Sequence, residues 1–176
     1  GKLPMTFPRS VGQIPIYYNH KETGRPVDPA PGDEQVFWSH YIDEENTPLY
    51  PFGFGLSYTE FDYKNLQLAK KEIKDDETLK ISVEVSNIGD YEGREVVQLY
   101  IRDLYGSIIR PVKELKGFEL VDLKKGETKT ITFELGRKEL GFYNERGEYI
   151  VEPGEFKVFI GGSSQTSLEE SFSIIE

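Results

Sequence analysis

Leu79, Ile81, Val83 and Val85 alternate with Lys80, Ser82 and Glu84, and a period of two puts every apolar side chain on one face of an extended chain. The pattern then recurs. A turn signal, Asn87-Ile88-Gly89-Asp90, leads to a second apolar face made by Val97, Leu99 and Ile101, while Val96 and Tyr100 lie on the opposite side of the same run. Apolar residues on both faces are the mark of a central strand. The stretch from Leu115 to Leu120 is followed by the turn Lys124-Lys125-Gly126-Glu127, after which Ile131, Phe133 and Leu135 alternate with Thr130, Thr132 and Glu134. Phe156, Val158 and Ile160 give another such face, and Phe172 and Ile174 the last. Roughly seven short strands in this arrangement predict an all-β fold, an immunoglobulin-like antiparallel β-sandwich. With no cysteine in the chain, the fibronectin type III-like variant is the nearer relative. Its expected core contains Leu79, Val83, Val97, Leu99, Ile131, Phe133, Phe156 and Val158.

The texture before residue 56 is different. Eight of the ten prolines, both histidines and the only tryptophan fall there, and no stretch sustains a helical or strand period for long. The one strand it suggests is Leu3 to Phe7, ending at Pro8. Yet Ile14, Ile16, Tyr17, Tyr18, Val36, Phe37, Trp38, Tyr41 and Ile42 make this an arm too apolar for a free linker. It needs a packing partner, expected to lie largely outside the sequence shown. The junction YPFGFGLSY, residues 50–58, supplies aromatics that can wedge between packed units and glycines that permit tight turning.

Several chemistries are disfavoured. The formal charge of −10 opposes binding to nucleic acid or anionic lipid, since phosphate contacts need clustered Lys and Arg. No apolar run is long enough to span a bilayer, and GKLPMTFPRS lacks the character of a signal peptide. Without cysteine there is no thiolate nucleophile or thiolate metal site, and neither the redox compartment nor the cellular location is indicated. His20 and His40 match no metal-ligand spacing. Ser57 is not in a nucleophile elbow, and Gly161-Gly162-Ser163-Ser164 reads as a turn. Glu44-Glu45, Asp75-Asp76-Glu77 and Glu169-Glu170 are adjacent acidic runs whose side chains diverge on an extended chain. No metal or cofactor is expected. Tyr17-Tyr18, Trp38 and Tyr41 could stack on sugar rings, and the loop from Arg102-Asp103 to Arg110-Pro111 could carry contacts; packing and salt bridging are the plainer readings of each.

Taken together, GKLPMTFPRSVGQIPIYYNHKETGRP (1–26), NTPLYPFGFGLSYTEF (46–61), VVQLYIRD (96–103), RPVKELKGFE (110–119), LKKGETKTITFEL (123–135) and EPGEFKVFIG (152–161) resemble, in order, the C-terminal portion of glycoside hydrolase family 3, the β-glucosidase and β-xylosidase family. The resemblance implies a barrel domain, an α/β-sandwich domain and then a fibronectin type III-like domain. Residues 1–55 would be the C-terminal strand and wrapping arm of the α/β-sandwich domain plus the aromatic linker; residues 56–176 would be the β-sandwich. The family's catalytic Asp and Glu would lie upstream of Gly1, and its Ser-Asp-Trp nucleophile motif has no counterpart here. The chain is then expected to be a non-catalytic part of a retaining β-glucosidase-type hydrolase. Its implied partners are the upstream domains, the parent's β-glucoside or oligosaccharide substrate, and a second copy in a homodimer. Trp38, Tyr41, Tyr50, Phe52, Phe54 and Tyr58 are the residues expected to pack between domains. A carbohydrate-binding module and a stand-alone adhesion sandwich are the alternatives.

Overall fold

The structure, a computed structural model, describes residues 1–22 and 40–176. Among them a single turn of 3-10 helix, Val11–Gln13, precedes ten strands: β1 (Phe61–Leu68), β2 (Glu72–Lys74), β3 (Leu79–Asn87), β4 (Gly93–Asp103), β5 (Glu114–Leu123), β6 (Thr128–Leu135), β7 (Phe142–Tyr143), β8 (Tyr149–Ile150), β9 (Gly154–Gly161) and β10 (Glu169–Ile175). A one-turn helix α1, Arg137–Leu140, links β6 to β7. The sheets run β1-β3-β6 and β2-β10-β9-β4-β5, with β7 and β8 forming a separate hairpin. All pairings are antiparallel except that of β2 with β10. The sandwich expected from the alternation is therefore the architecture observed.

The core fills the space between the two large sheets. Ile81, Val83 and Val85 on β3, Val97, Leu99 and Ile101 on β4, and Val158 and Ile160 on β9 are all fully buried, and Phe156 and Phe172 stack with ring centroids 5.3 Å apart. Of the eight residues expected in the core, seven are buried and Phe133 is half-buried against it. As its two-sided pattern predicts, β4 is interior, lying between β9 and β5; its outward Gln98 and Tyr100 are as buried as its inward residues.

Both turn signals form turns. Asn87 is buried, accepting the Thr59 hydroxyl at 2.6 Å and the Gly89 N–H at 3.2 Å on Oδ1 while its Nδ2 donates to the Tyr91 and Leu123 carbonyls. Gly126 has φ +73° with open space around it, and its N–H donates to the Asn87 carbonyl at 3.0 Å. Because only backbone strain opposes a side chain there, Gly126→Ala should destabilise the fold by about 1 kcal/mol. Urea unfolding would show it as a lower midpoint with an unchanged slope.

The expected strand from Leu3 to Phe7 does not form. Phe7 makes one isolated bridge to Tyr50.

Candidate interdomain surface

Residues 3–7 run antiparallel to the junction. Gly53 N–H donates to the Leu3 carbonyl and Leu3 N–H to the Phe54 carbonyl, each at 2.8 Å; Phe7 N–H donates to the Tyr50 carbonyl at 2.9 Å. This pair of segments lies across the outer face of the five-stranded sheet. Gly53 sits at φ +78°, and a Cβ there would lie 2.1 Å from Gln98 Oε1, so close an approach admits only glycine. Gln98 Nε2 donates to the carbonyls of Gly53, at 3.3 Å, and Gly162, at 2.6 Å, while its Oε1 accepts the Tyr100 hydroxyl at 2.5 Å. Phe52 accepts the Ser164 N–H at 2.9 Å and stacks on Tyr18 with centroids 4.3 Å apart; Tyr18 in turn meets the edge of Tyr100 at 5.9 Å. This stacking on the outer face accounts for the second buried side of β4.

Charge fastens the arm as well. Lys2 pairs with buried Glu95 at 2.7 Å, Glu22 with Arg102 at 2.7 Å, and Val112 N–H donates to the His20 carbonyl at 2.9 Å. Lys113 Nζ, beneath the arm, donates to the Ser164 and Thr166 carbonyls and lies 4.2 Å from the centre of the Phe159 ring. Its burial holds the ammonium pKa below the ordinary lysine value. The arm's inner face thus finds its partner within this chain, in residues that carry no periodic relation to it. Replacing Gln98 by leucine should strand three polar groups and cost about 2 kcal/mol; exchange of the Leu3 and Gly53 amides should quicken with it, as read by hydrogen–deuterium exchange.

The outer face of the arm is apolar. Of the twenty large hydrophobic residues exposed among the described residues, eleven lie between Met5 and Tyr58. They include Val11, Ile14, Tyr17, Tyr41, Ile42, Leu49, Tyr50 and Tyr58, with Ile42 99% and Tyr58 96% exposed. So many exposed apolar side chains make the arm the candidate interaction surface of the chain. Of the residues expected to pack between domains, Tyr41, Tyr50 and Tyr58 face outward. Phe52 is turned to the sheet, and Phe54 stacks on Tyr50 at 4.9 Å; Trp38 lies outside the described residues. Tyr18 gives one ring face to Phe52, whereas Tyr17 is exposed. A groove of about 440 Å³ between arm and sheet is lined by Tyr17, Tyr18, Lys113 and Phe159.

Five carboxylates of the acidic runs are in ion pairs: Glu45 with Arg9 at 2.7 Å, Asp75 with Arg137 at 2.7 Å, Glu169 with Lys157 at 2.6 Å, and Glu77 and Glu170 with Lys70 and Lys71. Among the described residues no three His, Asp or Glu side chains converge as metal ligands. Ser57 Oγ accepts the Thr59 N–H, and the Gly161–Ser164 turn presents its carbonyls to Gln98 and Lys113. In the loop between β4 and β5, Arg110 lies 3.5 Å from Asp103, pairs with Glu114 at 2.8 Å and sits 4.3 Å over the Phe142 ring. That loop is a salt-bridged closure of the sandwich. Sequence reasoning did not single out Lys2, Glu95, Gln98 or Lys113; a polar residue interrupting an apolar strand, as Glu95 and Gln98 do around Val97, was the available signal.

A family model described as the fibronectin type III-like domain matches residues 95–164. Over 175 residues the chain is 48% identical to the periplasmic beta-glucosidase of Salmonella typhimurium, an alignment covering 99% of this chain and 23% of that protein. It is 47% identical over 165 residues to a beta-xylosidase of Formosa agariphila, covering 94% of this chain and 22% of the other. The crystal structure of the beta-glucosidase from Listeria innocua in complex with glucose superposes with a TM-score of 0.93 at 47% identity, covering 100% of this chain and 24% of that one. The chain therefore spans about a quarter of the length of the relatives it matches.

Proposed function

Because the chain belongs to the family 3 glycoside hydrolases, as the C-terminal portion that carries their fibronectin type III-like domain, we propose that it is a non-catalytic scaffold within a protein that hydrolyses terminal β-D-glucosides. Its role is to cover apolar surface of an upstream barrel and α/β-sandwich domain and to fix their mutual position. The observation that carries this reading is the apolar outer face of the arm, where Ile42 and Tyr58 are almost wholly exposed beside an inner face fastened to the sheet. Residues 1–55 belong with the upstream domain and residues 56–176 form the sandwich, whose first strand opens at Phe61.

The test is reassembly. The chain and the separately produced remainder of the protein, mixed in solution, are expected to associate and to restore hydrolysis of an aryl β-glucoside, with an aryl β-xyloside assayed beside it. Ile42→Lys combined with Tyr58→Asp, both at almost wholly exposed positions, should weaken association at least about tenfold without lowering the melting temperature of the chain itself. No association, or association indifferent to these changes, would sink the proposal.

A further inference from the structure

The groove between arm and sheet is cationic in a chain whose formal charge is −10. Arg102, Lys113 and Lys157 line it, against Glu169 as the one lining carboxylate among the described residues. Two of these cations are answered in place: Lys157 pairs with Glu169 at 2.6 Å, and Arg102 with Glu22 at 2.7 Å. Lys113 is different. It forms no ion pair among the described residues, and two of its three N–H groups go to the Ser164 and Thr166 carbonyls, at 2.9 and 3.0 Å. The Phe159 ring, centred 4.2 Å from Nζ, offers only the weak negative potential of its face. Burial holds the Lys113 pKa down, with the Glu169 charge opposing.

One positive charge in the groove is therefore left over, and a cation withdrawn from water without a counter-charge is costly. A single negative charge beside Lys113 offsets that cost and accepts from its third N–H, a charge-assisted hydrogen bond. The other walls are flat and apolar: Phe159 is joined by Tyr18, Pro48, Pro51 and the half-exposed Tyr17. Rings of this kind receive a planar apolar body. At about 440 Å³ the groove is of the size that takes a small organic ligand. An anion without a ring leaves these walls unused, and a neutral ring leaves Lys113 unanswered. A cation meets Arg102, Lys113 and Lys157 and is repelled.

We propose that this groove is a binding site for a monoanionic arenecarboxylate, with the carboxylate on Lys113 and the ring against Tyr17 and Phe159. The inference goes beyond the scaffold role, does not rest on it, and is tested without reference to catalysis. Isotope-labelled chain is titrated with benzoate and followed by amide NMR shifts, beside benzamide, acetate and benzylamine. The expected result is saturable millimolar binding of benzoate, with shifts centred on Lys113, Phe159 and Ser164. Benzamide, which keeps the ring and loses the charge, acetate, which keeps the charge and loses the ring, and benzylamine, which reverses the charge, should each bind at least about fivefold more weakly. Lys113→Met and Tyr17→Ala, each checked for a native amide spectrum, should weaken benzoate binding by a similar factor. Should Lys113→Met fail to fold, the benzamide comparison reads the charge and Tyr17→Ala, at an exposed position, reads the wall. The inference is overturned if the chain shows no saturable shift up to roughly 100 mM benzoate, if the shifts centre elsewhere, if benzamide binds as tightly as benzoate, or if folded variants bind unchanged.

Discussion

Purified alone, the chain is expected to leave an aryl β-glucoside unhydrolysed, at a rate many powers of ten below that of the whole protein. Retaining hydrolysis needs two carboxyl groups about 5–5.5 Å apart, one ionised as nucleophile and one held protonated as the acid. Glu77 is driven below the usual carboxylate range by Lys70 and by the Lys74 N–H, which suits a surface ion pair and not an acid. Burial raises the Asp103 carboxyl above its ordinary value, but it is 5% exposed and lies beside Arg110, out of reach of a sugar. Removing nucleophile and acid/base together forfeits most of the transition-state stabilisation. Turnover that tracks with the purified chain and disappears on changing Glu44 or Glu45 would overturn this reading.

The alternating strands were legible because alternate apolar residues, Leu79 to Val85 on β3, Val97, Leu99 and Ile101 on β4, Ile131 and Leu135 on β6, and Phe156, Val158 and Ile160 on β9, face the core at the period that extended geometry dictates. Where the geometry departs from that period, so does the signal. On β1, Phe61 and Tyr63 are in phase with each other but Leu66 and Leu68 are in the opposite phase, since the pairing with β3 shifts between Lys64 and Gln67 and Asn65 takes a positive φ of 54°. A bulge of this kind reads as a broken pattern in one sequence. The two- and three-residue strands β2, β7 and β8 are too short to display any period. The seat of the arm was illegible for another reason. Its partners, Gln98, Tyr100 and Ser164, are distant in sequence, and aromatic stacking and single carbonyl contacts leave no repeat behind. Composition said that the arm must be covered; only the three-dimensional arrangement separates the face covered by this chain from the face left bare.

Replacing Arg110 by leucine is expected to cost about 3–5 kcal/mol at neutral pH, as removal of one partner from a buried ion pair does. Arg110 and Asp103 side chains are 9% and 3% exposed, so neither charge is compensated by solvent once the other is gone. Burial already raises the Asp103 pKa above 3.8, with Arg110 and the Tyr105 N–H opposing the rise and Glu152 and Glu114 adding to it. Taking Arg110 away removes the larger of the opposing effects and moves that pKa higher still. A carboxyl whose folded-state pKa exceeds its unfolded value binds its proton more tightly when folded, so its contribution is present at low pH and lost as the pH rises through the folded pKa. The deficit of Arg110→Leu relative to the parent should therefore be greatest near neutrality and should shrink as acid protonates Asp103. Urea unfolding of both proteins at about pH 7 and about pH 4.5 measures the difference. A deficit equal at the two pH values would assign the loss to packing over Phe142, where the guanidinium lies 4.3 Å from the ring centre, and to the pair with Glu114, and not to the stranded Asp103 carboxylate. Asp103→Asn isolates the share of the stranded carboxylate: with that charge removed, Arg110→Leu should lose only its packing over Phe142 and its pairing with Glu114, and the part of the pH dependence that comes from Asp103 should vanish.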